Sequence, residues 1–208
     1  MKPKQRIQWI YQSTDSRELA MRYDEWSKSY EDDLCHLNYT SPEIGVQQFA
    51  RWVPTTARVL DAGAGTGLVG ENLSRIGYRR LVGIDNAPCM LDLARAKGVY
   101  TELSVQDLLG TLRFPSDTFD AVISIGVFNF CHVDARAFGE LIRVTRPEGI
   151  ILFSVLSRYR REDAFASALR DLEAAAKWRL LEISQPFSSR DKVDKEATAE
   201  ILVYRVSK

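Results

Sequence analysis

From Arg58 onward the chain alternates short apolar runs with stretches whose apolar residues recur every three to four positions, the pattern of a parallel sheet covered by helices. The runs predict strands at about 58–62, 80–85, 100–105, 119–125 and 149–155. Between them the spacing predicts helices over Gly67 to Arg75, Asn86 to Lys97 and Asp134 to Thr145, and an Ala-rich one over Arg160 to Lys177. Asn86 is placed to cap the second helix, Pro88 suits its first turn and Gly98 closes it, while Arg146-Pro147 stops the third. Beyond Lys177 the texture shifts. Arg179 to Ile183 and Thr198 to Val206 both read as strands, with too little chain between them for a crossover helix, so they form a hairpin and the last strand runs antiparallel. The expectation is an α/β fold with a doubly wound, seven-stranded, mostly parallel sheet and an antiparallel C-terminal hairpin.

The first 55 or so residues differ in texture, being rich in Trp and Tyr and lacking strand-like runs. Tyr23, Trp26, Ser27 and Tyr30 fall at i, i+3, i+4 and i+7, one helical face. Residues 23 to 45 hold six acids, Asp24, Glu25, Glu31, Asp32, Asp33 and Glu43, against Lys28, and these are read as a solvated acidic face. No repeat, low-complexity tract or linker divides the chain, so the expected organisation is a helical segment over 1–55 and one globular domain over 56–208.

Composition narrows the partners. Among 208 residues, 28 Lys and Arg balance 28 Asp and Glu, so the basic surplus of a nucleic-acid binder or a polybasic membrane tether is missing. No apolar run reaches the ~18 residues of a membrane span, and the N-terminal stretch lacks the continuous apolar core of a signal peptide, so a cytoplasmic location is expected. Cys35, Cys89 and Cys131 are odd in number and widely spaced, which fits neither a disulfide framework nor a zinc ribbon. Cys35-His36 and Cys131-His132 are adjacent pairs, whereas zinc ligands normally leave two or more residues between them, so no metal site is read.

The chemistry concentrates at strand ends. Val59-Leu60-Asp61-Ala62-Gly63-Ala64-Gly65-Thr66-Gly67 is an apolar strand with an acid near its end, running into a loop with glycine at every second position. Such a loop lets a ligand approach backbone N–H groups at a helix N-terminus without Cβ clashes. The next strand ends in Asp85, 18 residues after Gly67, where a carboxylate can accept hydrogen bonds from both hydroxyls of a ribose. A third acid, Asp107 in Val105-Gln106-Asp107-Leu108, lies just past a strand end, in reach of an adenine amino group.

These residues resemble the class I S-adenosylmethionine-dependent methyltransferases, with their Rossmann-like sheet, from about Tyr23 to the C-terminus. The resemblance implies that S-adenosyl-L-methionine is the cofactor. It implies that the Asp61–Gly67 loop meets the amino acid part, Asp85 the ribose, and Asp107 with the Leu108 backbone the adenine. The cofactor-binding set implied includes Asp61, Ala62, Gly63, Gly65 and Gly67 of the loop. It continues with Asn86, Met90, Gln106, Ile125 and Gly126, and with Tyr23, Trp26 and Tyr30 as a lid. Arg143-Val144-Thr145-Arg146-Pro147-Glu148-Gly149 is similar to the family's turn before the fifth strand, with Glu148 where glycine is usual. Tyr23-Asp24-Glu25-Trp26, Tyr30-Glu31 and Gly98-Val99-Tyr100 look most like the Williams-Beuren syndrome region methyltransferase-like proteins.

A rival match exists, because Gly65-Thr66-Gly67-Leu68-Val69-Gly70 satisfies G-x-G-x-x-G and Asp85 lies 20 residues after Gly65. Asp61 ahead of the glycines, the extra Gly63 and Asp107 argue against an NAD site. The only Tyr-x-x-x-Lys, Tyr204 to Lys208, ends the chain. A non-catalytic module binding S-adenosylmethionine or S-adenosylhomocysteine needs the same acids and glycines, so it stays open. His132, after the fourth strand, is the candidate proton acceptor, and His36 a lesser one. Arg158, Arg160 and Arg161 follow the fifth strand, where they could meet an anionic substrate. Neither the Asn/Asp-Pro-Pro-Tyr/Phe run of the amino-methylating DNA and protein enzymes nor the Pro-Cys of the cytosine enzymes occurs there. Strands and helices consume about 150 residues, which leaves a small remainder for recognition and favours a small-molecule acceptor, with the oligomeric state open.

Overall fold

Successive strand residues point to opposite sides of a sheet, and in this chain both sides are apolar. Val59 joins one core cluster while its neighbour Leu60 joins the other, and Leu81 and Val82 divide in the same way. A sheet buried on both faces needs a helical layer on each. The computed structural model describes residues 1–129, 133–189 and 198–208 and shows that arrangement.

Strands β1 (Arg58–Ala62), β2 (Arg80–Asp85), β3 (Glu102–Val105), β4 (Phe119–Phe128) and β5 (Thr145–Leu156) are parallel. They continue into β6 (Trp178–Ile183) and β8 (Thr198–Val206) in the order β3-β2-β1-β4-β5-β8-β6. β8 runs antiparallel to both its neighbours, as the hairpin reading requires. A two-residue β7 (Phe187–Ser188) pairs with β8 off this path, an eighth strand too short to leave a sequence pattern.

One face is covered by α4 (Ser41–Phe49) and α5 (Leu68–Arg75), through Val46, Phe49, Val69 and Leu73. The other is covered by α7 (Ala137–Val144) and α9 (Asp163–Ala174), where Phe138 and Phe165 pack with Phe128 and Phe153. The helix α6 (Pro88–Ala96) flanks β2 and β3. Strand order reverses between β1 and β4, and their C-terminal ends open the crevice in which such sheets bind ligands.

Several boundaries differ from the sequence pattern, each for a local reason. Asn86 does not cap α6: Ala87 occupies the N-cap position, and the Asn86 amide donates instead to the Ser16 carbonyl, at 3.3 Å. The helix expected over Arg160 to Lys177 is two, α8 (Ser157–Arg160) and α9, because Arg160 is held by a bidentate ion pair to buried Glu200 (2.6 and 3.2 Å) and Glu162 is extended. The same pair removes Arg160 from the arginines available to an anion. β5 begins at Thr145 rather than at 149. Residues 146–149 bulge between the Phe119–Thr145 and Ala121–Ile150 pairings, and Glu148 takes a left-handed φ of 62°, the conformation that favours the family's glycine.

Four helices precede the sheet: α1 (Pro3–Ile10), α2 (Ser16–Trp26), α3 (Tyr30–His36) and α4. The aromatic stripe spans a break, because Ser27–Ser29 form a 3₁₀ turn between α2 and α3. Its rings still meet: Trp26 and Tyr30 lie edge to face at 4.7 Å between centroids, and Tyr23 stacks on Trp26 at 5.9 Å. The acids of this region are not merely solvated. Asp24 accepts the Cys89 N–H at 2.8 Å and so caps α6, Glu31 pairs with Lys97 at 2.9 Å, and Asp33 accepts from the Trp26 indole at 2.8 Å.

Candidate functional site

The glycine loop after β1 is built on left-handed backbone, with φ of 84° at Gly63, 53° at Gly65 and 88° at Gly67, conformations that cost non-glycine residues. Each glycine faces something different. A Cβ on Gly63 would lie 2.3 Å from Val127, and one on Gly67 would crowd Ala94 and the Tyr100 ring at 3.1–3.2 Å. Nothing lies within 4 Å of where a Cβ on Gly65 would stand, so that residue opens its backbone to the crevice.

That crevice is a cleft of about 660 Å³ across the ends of β1 to β4. Gly63 and Gly65 line it from the first loop, Asp85, Asn86 and Met90 from the second, and Gln106, Asp107 and Leu108 from the third. Ile125 and Gly126 complete it from β4, and Tyr23 and Tyr30 close it from the N-terminal helices. The set implied by the family resemblance thus names most of the wall. Four of its candidates stand elsewhere. Ala62 is fully buried in the core facing α7, and Gly67 sits behind the loop as the N-cap of α5. Trp26 is buried beside a second cavity, and Asp61 lies under the loop rather than on the cleft surface. Leu19, Val127 and Val133 join the wall unannounced, since an apolar residue carries no local mark separating cleft from core.

The acids are held in distinct ways. Asp85 accepts the Gly65 N–H at 2.8 Å on one oxygen and the Ala87 N–H at 2.9 Å on the other, which ties the first loop to the second. The carboxylate keeps acceptor capacity for a further donor. Burial raises the Asp85 pKa, and the backbone N–H groups oppose that rise. Asp107 accepts the Leu109 N–H at 2.9 Å and the Ser16 hydroxyl at 2.5 Å, so α2 begins on the far end of the cleft. Gln106 is satisfied locally: its amide donates to the Ser104 hydroxyl and accepts the Arg113 N–H.

Asp61 is fully buried, and desolvation pushes its pKa from 3.8 up to about 7, against the Tyr100 hydroxyl that donates to its Oδ2 at 2.6 Å. Its Oδ1 and the Thr66 hydroxyl oxygen are buried with no hydrogen-bond partner among the described residues. Leaving a buried polar atom unpaired costs about 1–3 kcal/mol, so this loop is short of a donor. An ammonium group at the loop would supply one. A pyrophosphate would instead meet the carboxylate, which is the physical argument against the nicotinamide-dinucleotide match.

A second cavity adjoins the cleft and shares Tyr23, Tyr30 and Gly126 with it. It lies between α1 to α3 and the ends of β4 and β5. Gly126, with φ of 79°, lets the Tyr39 hydroxyl close in, since a Cβ there would stand 2.5 Å from that oxygen. His36 is exposed at the end of α3, its Nδ1 within 2.6 Å of the Asp32 carbonyl, and lines neither cavity. His132, the candidate proton acceptor, lies outside the described residues.

Sheet order, glycine loop and three acids at successive strand ends define the architecture of a class I methyltransferase. Comparison with known proteins agrees. A methyltransferase domain profile matches residues 60–153. The chain is 34% identical to human Methyltransferase-like protein 27 over 163 residues, 75% of this chain and 66% of that protein. It is 37% identical to the malonyl-[acyl-carrier protein] O-methyltransferase of Yersinia pestis over 99 residues, 48% of this chain and 36% of that one. Among solved structures, the TehB-like methyltransferase of Corynebacterium glutamicum superposes with a TM-score of 0.64 at 19% identity, over 90% of this chain and 99% of that one. The [4+2]-cyclase SpnF superposes at 0.62 with 20% identity over 80% of each chain, so the fold alone leaves the reaction open.

The chain belongs to the class I S-adenosylmethionine-dependent methyltransferases, whose cofactor is S-adenosyl-L-methionine. It spans about two thirds of the length of the human relative and about a third of the Yersinia one. Among the described residues, no helix is long and apolar enough to cross a membrane.

Proposed function

We propose that this protein transfers a methyl group from S-adenosylmethionine, bound in the cleft, to a small-molecule acceptor admitted to the adjoining cavity beneath the N-terminal helices. The observation that carries the reading is the shared wall: Tyr23, Tyr30 and Gly126 border both spaces, so a ligand in one meets a ligand in the other.

The residues present fit the cofactor. The Asp61 Oδ1 atom, buried beneath the glycine loop, lacks a donor that the amino group of a methionine moiety would supply on reaching it past Gly65. Gly65 leaves room for it, and the Asp85 carboxylate retains acceptor capacity for a ribose hydroxyl. Asp107, Leu108 and Met90 form the polar and apolar parts of a purine pocket. When bound, the cofactor supplies an electrophilic methyl on a sulfonium and leaves as S-adenosylhomocysteine. The protein's part is to align the reactants and exclude water, and orientation of this kind is worth up to ~7–11 kcal/mol. The N-terminal helices act as the lid. They reach the cleft through Ser16 on Asp107 and through Tyr23 and Tyr30, and they line both cavities.

Two measurements test this. Calorimetry should show S-adenosylhomocysteine binding and NADH not binding, and the reverse would sink the cofactor assignment. Release of S-adenosylhomocysteine should then be followed against a panel of small acceptors. Tight binding with no turnover of any of them would move the protein to the class of binding modules.

A further inference from the structure

The second cavity carries information about what it admits, an inference that rests on the reading of the cleft as the cofactor site. Its roof is aromatic, with Tyr11, Tyr23, Trp26, Tyr30 and Tyr39, and its floor at the ends of β4 and β5 holds Phe128, Val155 and Leu156. The polar groups among the described lining residues are neutral: tyrosine hydroxyls, the Asn129 amide, and the hydroxyls of Ser41, Ser154 and Ser189. The charges nearest it are paired behind the wall. Asp33 accepts from Trp26 and Ser29 and faces Arg6 at 3.7 Å, the buried Arg6 Nε making no hydrogen bond among the described residues, and Arg160 is bound to Glu200. Among the described residues, an ion entering this space would lose its water without gaining a counter-ion, which is costly. Nor is the Trp26 ring offered as a cation platform, because Tyr23 stacks on it and Tyr30 meets it edge to face.

We infer that the acceptor is an uncharged, flat, largely apolar molecule whose reacting heteroatom is a neutral polar group at the Gly126 end of the cavity, as in a hydroxyaromatic compound. Flat rings match aromatic walls, and neutral hydroxyls and an amide suffice to orient one polar edge. The test uses the full chain saturated with S-adenosylhomocysteine and three probes of one shape: 2-naphthol, 2-naphthoate and 2-naphthylmethylammonium, titrated calorimetrically at pH 7.5. The naphthol is expected to bind at least tenfold more tightly than either ion, and Ile7→Asp at the cavity wall to weaken it by a similar factor. Equal or tighter binding of either ion, or no binding of any probe to the cofactor-product complex, overturns the inference. Failure of S-adenosylhomocysteine itself to bind overturns the cofactor reading and this one with it.

A separate observation concerns Tyr100. Its ring lies in a slot cut by three glycines: a Cβ would stand 3.2 Å from it at Gly67, 2.2 Å at Gly70 and 3.0 Å at Gly83. From that slot the hydroxyl accepts the Gly70 N–H at 3.1 Å and donates to Asp61 Oδ2 at 2.6 Å. We propose that Tyr100 is a positioning residue for the cofactor, holding one Asp61 oxygen so that the other presents to the amino group. The claim rests on Asp61 as the amino-group partner. Tyr100→Phe keeps the ring in the slot and removes only the hydroxyl. The variant should fold with a near-native melting temperature, bind S-adenosylhomocysteine at least fivefold more weakly at pH 7, and show the midpoint of its affinity–pH profile displaced upward. Unchanged affinity and midpoint overturn the proposal. Where only the melting temperature falls, the role is structural and the proposal is likewise overturned.

Discussion

Asp61 makes the sharpest prediction at the residue scale. Its folded pKa of about 7 stands above the ordinary 3.8, with burial as the main cause and the Asp85 charge adding to it. Between those values the folded state holds a proton that the unfolded chain has lost, so the ligand-free protein should lose stability as pH rises from about 4 to about 7. A span of three pKa units corresponds to on the order of 4 kcal/mol. Urea unfolding at a series of pH values checks this, and Asp61→Asn should flatten the slope. An arriving ammonium group favours the ionised carboxylate, so S-adenosylhomocysteine should bind more tightly as pH rises from 6 to 8 and release protons below pH 7. Calorimetry in buffers of different ionisation enthalpy reads that proton release directly. For Asp85→Ala, loss of charge-assisted bonds to the ribose should weaken cofactor binding by about 1–3 kcal/mol, measured as a dissociation constant.

The three acids were legible at this scale because each is marked locally, a carboxylate where an apolar run ends. Tyr100 was not. Its importance arises from glycines at 67, 70 and 83 converging on one ring, and Gly70, which in sequence completes a dinucleotide fingerprint, is in the fold a notch for that ring. Nor could spacing show that Ala62 turns into the core while its neighbour Gly63 faces the cleft.

Among the elements, the N-terminal helices matter most. They are latched to the sheet domain by Ser16 on Asp107, Asp24 on the Cys89 N–H, and Glu31 on Lys97, which also meets Glu71 at 3.3 Å. Asp24 lends α6 the side-chain cap that its own N-cap residue, Ala87, cannot provide. Asp24→Ala should therefore cost about 0.5–2 kcal/mol, the usual worth of an N-cap, read as a lower urea midpoint with unchanged slope. In the same variant, amide exchange should quicken at the start of α6 and in α2, whereas a solvated acid would leave both unchanged. Periodicity marked these segments as helical, yet the docking of one helix's acid onto another's N-terminus is a meeting of residues 65 apart. The break between α8 and α9 has the same origin, since Glu200, which holds Arg160, comes from a strand 40 residues on.

For the molecule as a whole, the crevice at the strand reversal couples ligand binding to global stability. It joins the loops after β1, β2 and β3 and the N-terminal helices, so S-adenosylhomocysteine at about a hundred times its dissociation constant should add ~2.7 kcal/mol. For a chain of this size that raises the melting temperature by roughly 5–11 °C, while NADH should leave it in place. A ligand-induced rise confined to a partial transition would show that the N-terminal helices unfold separately from the sheet.

Much of this architecture is written in local pattern. Alternation, helical period, glycines and terminal acids act within a few residues, and they sufficed for a doubly wound sheet, an antiparallel last strand and a crevice with acids at successive strand ends. What packing alone decided is of another kind. The cavity beside the cleft is space left between the N-terminal helices and the ends of β4 and β5, the Tyr100 slot is the convergence of three glycines, and the pKa of Asp61 is a consequence of being enclosed. No stretch of sequence encodes an enclosure, because its walls come from distant residues and exist only once those residues are brought together.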